Sequence, residues 1–531
     1  MTAITTALAD AALPGGPFAP DVLADLDRED AFPAAAVALL DRLDVAAWYV
    51  PDRHGGRLTD FGDLVSVVRE VARHDLTVAI AHGKTFLGSA PVWVAGAPEQ
   101  ADRVARRVSG GAAVAWGLTE RGRGSDLLAS AVTAVPHGGG WRLDGEKWLV
   151  NNATRGELVT VLARTDPEGG PRGLSLFLVD KRELDPGTYR CLPRERTHGI
   201  RGADISGIGF TGAALPGSAL VGPVGSGVET VLKALQLTRT GCAALSLGAG
   251  DRALELTAAF VRERRLYGRA LADLPIARRS LGRGAAALLL AEATATLAAR
   301  LVHTHPEELS VVSAITKAFV PTVVGRALAD FADLLGVRGF LPRTTAYGRF
   351  AKIERDHRIV GIFDGSTPVN RAALIAQFPR LGRRSAGEDV DLSGPLPPLD
   401  PTRLRLVSPT GCTLVAGLPS AIADVRAAAG DEVRDLLGIV ESETARLRAE
   451  LAGARPTREV PASAFGLAER YELAFATAAF LRSWLHGPDR DPLPLRAALT
   501  AAADLWGARP DRTAYDHLAR RVLTTGGDRA Q

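Results

Sequence analysis

The chain is short of sulfur and of lysine. Its 531 residues include three cysteines, one methionine and six lysines (positions 84, 147, 181, 233, 317 and 352). Cys191, Cys242 and Cys412 are too far apart for metal-ligand spacing and give no disulfide framework, which fits a reducing cytoplasm. His303 and His305 have no third ligand beside them, so no metal site is expected. The first 13 residues lack the basic start and long apolar core of a signal peptide. There is no internal repeat and no uninterrupted membrane-length apolar run. The most apolar stretch, Gly284 to Val302, contains Glu292 and lies between Arg283 and Arg300, so it reads as a buried amphipathic helix. A net charge of +3 gives no reason to expect nucleic acid as a partner. Arginine carries nearly all the positive charge, and with abundant alanine this points to a GC-rich bacterial genome.

What is present is ordinary globular composition, 46% apolar and 23% charged, over a length that calls for several domains. Residues 1–112 read as a helical domain, with Leu64, Val67, Val68 and Val71 at helical spacing. Between 113 and 222 the period changes to short apolar runs such as Leu158 to Ala163 and Leu174 to Val179, bounded by turn residues. A small β-barrel or sandwich is expected there. Helical spacing returns over 223–382, where Val228, Val231, Leu232 and Leu235 mark a bundle helix. Residues 383–531 read as a linker, stiffened by Gly394-Pro395-Leu396-Pro397-Pro398, and a further helical region.

The most informative stretch is Trp116-Gly117-Leu118-Thr119-Glu120-Arg121-Gly122-Arg123-Gly124-Ser125-Asp126, followed by a strand ending Lys147-Trp148-Leu149-Val150-Asn151-Asn152. Gly122 and Gly124 let backbone approach a flat, phosphate-bearing group without a Cβ clash, and Ser125 with free turn N–H groups can donate to phosphate. Three later segments complete the pattern: Glu263-Arg264-Arg265-Leu266-Tyr267-Gly268, Asp333-Leu334-Leu335-Gly336-Val337-Arg338-Gly339-Phe340, and Ile362-Phe363-Asp364-Gly365-Ser366-Thr367 after Arg355-Asp356-His357-Arg358.

In this order the segments resemble the acyl-CoA dehydrogenase family. The resemblance implies a helical N-terminal domain, a central β domain and a C-terminal four-helix bundle, here with an added C-terminal helical extension. It implies FAD as cofactor. Trp116, Leu118, Thr119 and Gly124 would line the flavin, and Ser125 would meet its pyrophosphate and the substrate. Leu149, Val150 and Asn151 take the place of the family's aromatic, isoleucine and threonine beside the ring. Arg264 and Tyr267 would reach the FAD of a neighbouring subunit, Asp333 and Gly336 its adenosine side, and Ser366 and Thr367 would also contact the cofactor. Arg121 and Arg123 replace a proline and an alanine; the added charge either favours phosphate or faces solvent.

By the same resemblance the catalytic base is Asp364, one methylene shorter than the family's glutamate. The alternative base position, on an earlier helix, is Thr238. Gln236, Thr238, Arg239 and Gly365 would meet the substrate. The implied reaction is α,β-desaturation of an acyl thioester carried by CoA or an acyl carrier protein. An electron-transfer flavoprotein or oxygen would accept the electrons. The alternatives on the same fold are a flavin oxidase or monooxygenase of a nitro, amine or biosynthetic intermediate, and a non-catalytic scaffold. The resemblance implies a homo-oligomer, and the extension favours a dimer over a tetramer.

Overall fold

The computed structural model describes residues 2–341, 348–383, 390, 392–456 and 459–525. Part of the expected linker, 384–389 and 391, lies outside the described residues. Contacts divide the chain into two units, Met1–Gly241 with Pro398–Leu406, and Cys242–Pro397 with Val407–Gln531.

The first unit begins with six helices: α1 (Thr2–Ala11), α2 (Pro20–Arg28), α3 (Ala34–Arg42), α4 (Phe61–His74), α5 (Leu76–Ala95) and α6 (Pro98–Ser109). Side-chain caps start two of them. Asp60 accepts from the Gly62 N–H at 2.7 Å at the head of α4, and Asp75 from the Val78 N–H at 3.0 Å at the head of α5. Helix α5 is buried on almost every side, so its sequence is apolar without a polar stripe.

Eight strands follow: β1 (Val114–Gly117), β2 (Thr133–His137), β3 (Gly140–Asn151), β4 (Leu158–Arg164), β5 (Leu174–Asp180), β6 (Tyr189–Leu192), β7 (Ile205–Leu215) and β8 (Leu220–Val221). They form one sheet in the order β6-β7-β3-β2-β4-β5-β8, with β1 parallel to β4. The two apolar runs noted in the sequence are β4 and β5, paired antiparallel and buried on both faces, which is why neither alternates. Leu143, Val150, Val161, Phe177 and Ile208 fill the core beneath. Helix α7 (Gly227–Gly241) packs on α5 in this unit.

The second unit holds α8 (Ala243–Glu263), α9 (Pro275–Thr304), α10 (Leu309–Leu335), α11 (Val337–Phe340), α12 (Gly348–His357), α13 (Thr367–Ile375) and α14 (Phe378–Leu381). Then come α15 (Thr413–Ala416), α16 (Leu418–Ala429), α17 (Arg434–Ala452), α18 (Ala462–His486), α19 (Pro492–Leu505) and α20 (Thr513–Thr525). Helices α9 and α10 are long and apolar enough to cross a bilayer by composition, but most of each is buried within the molecule. Two glycines let α9 take close neighbours. A Cβ at Gly284 would meet the Phe331 ring at 2.3 Å, and one at Gly282 would meet the Tyr515 carbonyl oxygen at 2.0 Å. The second contact seats α20 of the extension directly on the bundle. A second tie joins Arg371 of α13 to Glu472 of α18 through two hydrogen bonds of 2.9 and 3.1 Å.

Candidate functional site

In the sheet unit, the turn after β1 is fixed by a buried ion pair. The Lys147 ammonium, wholly buried, donates to Glu120 Oε1 at 2.7 Å, Ser130 Oγ at 2.9 Å and the Leu118 carbonyl at 3.2 Å. Glu120 also accepts from the Ser130 hydroxyl at 2.6 Å and the Ala131 N–H at 2.8 Å. Gly117 makes room for the lysine stem, since a Cβ there would lie 3.3 Å from Lys147 Cγ. Burial pushes the Glu120 carboxyl up, but the Lys147 hydrogen bond and charge, with Ser130 and Ala131, outweigh it and hold the group at about 2. Burial lowers the Lys147 ammonium to about 8 against the pull of Glu120. Both groups are therefore charged at neutral pH. The Trp148 N–H donates to the Thr119 carbonyl at 2.9 Å, stitching the turn to β3.

This lock brings Trp116, Leu118, Thr119, Leu149, Val150 and Asn151 together. The β3–β7 register slips between Trp148 and Val150, and Leu149 occupies that bulge with φ +60°, its side chain 44% exposed. A bulge re-aims one side chain out of the ladder, and a leucine at positive φ is a strained conformation of the kind found at functional sites. Val150 points into the core. Both amide atoms of Asn151, and Trp116 Nε1, are buried without a hydrogen-bond partner among the described residues. Buried polar groups are almost always satisfied, so three such atoms on neighbouring strands fit an added polar ring such as a flavin. Gly124 and Ser125 lie exposed on the turn.

The two unexpected arginines serve the protein itself. Arg121 lies 4.5 Å from the centre of the Trp148 ring and pairs with Glu195 at 3.3 Å; the Trp148 indole Nε1–H donates to Glu195, at 2.7 Å. Trp148 is therefore held by polar partners. Arg123 donates to the Ala129 carbonyl. On α7, Gln236 Nε2 donates to the Arg405 carbonyl at 2.8 Å, while its Oε1 is buried without a partner among the described residues. Thr238 and Arg239 are buried on the same helix.

In the helical unit, Asp364 and Gly365 form a turn with φ of +56° and +91°. Lys317 of α10, 1% exposed, donates to the Val360 carbonyl at 2.6 Å and the Gly365 carbonyl at 3.4 Å. Asn370 Nδ2 donates to the Gly365 carbonyl at 2.7 Å and the Ser366 carbonyl at 3.1 Å. The Asp364 carboxylate accepts from the Cys242 thiol at 3.3 Å. Ser366 and Thr367 begin α13. Near the turn, His357 meets Ser246 Oγ at 2.9 Å; burial, and then the Lys317 charge, push its ring down to about 4.

The remaining predicted residues lie elsewhere in this unit. Arg264 ends α8 and leads into a two-strand ribbon, Arg265–Leu266 with Arg269–Ala270, whose tip is Tyr267 and Gly268 at φ +52° and +77°. Tyr267 is 95% exposed. Asp333 is in the last turn of α10, and Gly336, at φ +55°, ends that helix. Val337 starts α11 without a positive φ. Arg338 lies 5.9 Å from the Phe260 ring, bringing this segment beside the end of α8.

Sequence reasoning singled out neither Lys317, Asn370 and Cys242 nor the pairing of Glu120 with Lys147. One signal was available: in a chain with six lysines, Lys317 stands alone in the apolar run Val311 to Val320.

Family models for the acyl-CoA dehydrogenase N-terminal, middle and C-terminal domains match residues 18–112, 115–213 and 225–378. Among curated relatives, a probable acyl-CoA dehydrogenase, FadE25, of Mycobacterium tuberculosis is 28% identical over 66% of this chain and 89% of its own length. The mitochondrial short-chain specific acyl-CoA dehydrogenase of Homo sapiens is 26% identical over 68% of this chain and 86% of its own. Among solved structures, an acyl-CoA dehydrogenase complexed with FAD from Bacillus anthracis superposes with a TM-score of 0.74 at 18% identity, covering 99% of this chain and 95% of that one. The prolyl acyl carrier protein oxidase AnaB gives 0.64 at 18% identity, over 70% of this chain and 96% of its own.

Proposed function

Since the chain belongs to the acyl-CoA dehydrogenase family, whose members are FAD-dependent flavoprotein oxidoreductases, we propose that it desaturates an acyl thioester between Cα and Cβ with Asp364 as the base. The observation that carries this reading is the Asp364 turn. Its backbone is held in positive φ by Lys317 and Asn370, so a side chain too short for the family's usual geometry is presented from a fixed point. The Asp364 carboxylate takes the α-proton, and by the family's pattern the main-chain N–H of the base would donate to the thioester carbonyl as charge develops there. The chemistry that bound FAD would supply is a hydride acceptor for Cβ. Trp116, Thr119 and Asn151 would hold the ring, Ser125 the pyrophosphate, and Arg264 with Tyr267 the FAD of a second subunit; the exposure of Tyr267 suits a role outside its own subunit. Gln236, Thr238 and Arg239 would order the acyl end, with the orphaned Gln236 oxygen as one acceptor.

The thioester is carried by CoA or a carrier protein, and electrons leave to an electron-transfer flavoprotein or to oxygen. One observation keeps the oxidase reading alive: Asn151 stands where the family has threonine, and an amide with both atoms unpartnered presents a different hydrogen-bond set to the ring. The protein would act as a homo-oligomer in the cytoplasm.

The test is anaerobic titration of the flavin spectrum with a panel of acyl thioesters, alongside Asp364→Asn. The wild type should bleach with at least one thioester, and the variant should reduce about 10²- to 10⁴-fold more slowly. Equal rates in the two proteins would remove Asp364 as the base.

A further inference from the structure

The carboxylate of Asp364 meets a thiol. Cys242, 3% exposed, sits immediately before α8 with helical backbone angles, and its Sγ lies 3.3 Å from Asp364 Oδ2. A thiol is a weak donor, but a carboxylate is the acceptor that draws most from it. The surrounding contacts show what this bond can add. Lys317 and Asn370 grip the carbonyls of Val360, Gly365 and Ser366, and the Lys317 ammonium lies 5.3 Å from the centre of the Phe363 ring. Those contacts fix the main chain on both sides of Asp364 and leave the orientation of its carboxylate to side-chain contacts. Cys242 supplies one from a different helix, 122 positions away in sequence.

We propose that Cys242 is a positioning residue for the base: its thiol hydrogen bond holds the aspartate side chain in one rotamer on the clamped turn. The catalytic consequence rests on the reading of Asp364 as base; the geometric claim does not. With one methylene fewer than glutamate, the carboxylate has less freedom to find a productive position by itself. A misplacement of about 1 Å can cost about 100-fold in rate. The thiol touches neither substrate nor cofactor in this proposal and acts only through Asp364.

The S–H stretch, which falls in a clear infrared window, tests the bond without any substrate. Cys242→Ala identifies the Cys242 band by its loss, with Cys191 and Cys412 as internal references. Replacing Asp364 by Ala or Asn should move that band to higher frequency as the acceptor is lost or weakened. A band that stays in place in both Asp364 variants overturns the proposal.

Flavin reduction by the thioester that bleaches the wild type fastest gives the second readout. Cys242→Ala should slow reduction about ten-fold, the scale of one hydrogen bond to a charged group, with unchanged thioester affinity. Cys242→Ser should recover most of the rate. If Asp364→Asn is as fast as wild type, the base reading fails while the infrared result still decides the bond. If Asp364→Asn is slow but Cys242→Ala is as fast as wild type, the positioning role alone fails.

Discussion

In the sheet unit, the segment assigned to the flavin is organised by a cation and an anion that meet at 2.7 Å, joined by three main-chain groups and one hydroxyl. In the helical unit, the segment assigned to the base is organised by a buried ammonium aimed at carbonyl oxygens, helped by an asparagine and a thiol. The two devices constrain different things. A charge pair between residues 27 apart fixes where two segments of chain meet. Donors converging on carbonyls of one segment fix its shape, here a turn that L-residues seldom adopt. The edge assigned to the flavin would need two strands held in register, whereas the proposed base would need a single main-chain geometry.

Breaking the charge pair should have the largest effect. Lys147→Met leaves Glu120 buried without its cation, and removing one partner of a buried pair costs about 3–5 kcal/mol. Denaturant unfolding should show that loss in the single variant, with flavin retention falling as Thr119 and Asn151 lose register. The double variant Glu120→Gln with Lys147→Met should recover much of it, because neither charge is then stranded. A double variant as unstable as the single would mean that the lysine acts by packing, and the contrast between the two devices would shrink.

Acid sharpens the comparison because the two regions titrate in different windows. His357 is pushed down to about 4, below the 6.5 of an ordinary imidazole, so between those values the unfolded chain binds the proton that the folded chain refuses. Stability therefore falls as pH drops from 6.5 to 4, by about 3 kcal/mol in all. Glu120, at about 2 against 4.5, contributes stability that is complete above pH 4.5 and is lost as pH falls toward 2. Urea midpoints measured across pH 7 to 3 should decline first through His357. His357→Gln should flatten the stretch above pH 4 and leave the lower one. An unchanged slope in that variant would place the acid sensitivity elsewhere.

Much of this was legible because it is local. The buried strands β4 and β5, the turn at Thr119 to Asp126 and the Asp364 segment are contiguous stretches whose patterns survive in sequence. The partners that hold them are not contiguous. Glu120 and Lys147, Lys317 and Gly365, and Cys242 and Asp364 are separated by 27, 48 and 122 positions, and only folding brings them together. Arg121 was ambiguous for a related reason. Its charge alone suits phosphate or solvent, and only the positions of Trp148 and Glu195 show that it stacks and pairs within its own sheet. The Gly336 segment differs again: its positive φ falls on Gly336 and Val337 begins a helix, which only the folded chain shows.

The smallest expected effect separates holding the protein together from holding its cofactor. Both amide atoms of Asn151 are buried and unpartnered among the described residues, so in the flavin-free protein the side chain is a liability. Replacing a buried polar group that lacks partners by an apolar one of similar shape is neutral or stabilising. Asn151→Leu should therefore raise the stability of flavin-free protein by up to about 1 kcal/mol while weakening FAD binding by about ten-fold, the scale of one or two lost hydrogen bonds. Equilibrium dialysis against FAD and thermal unfolding of the stripped protein measure the two effects separately. Opposite signs would show that the sheet unit keeps an unsatisfied amide for the ring it binds. A variant that loses stability without FAD would show that Asn151 belongs to the lock built by Glu120 and Lys147.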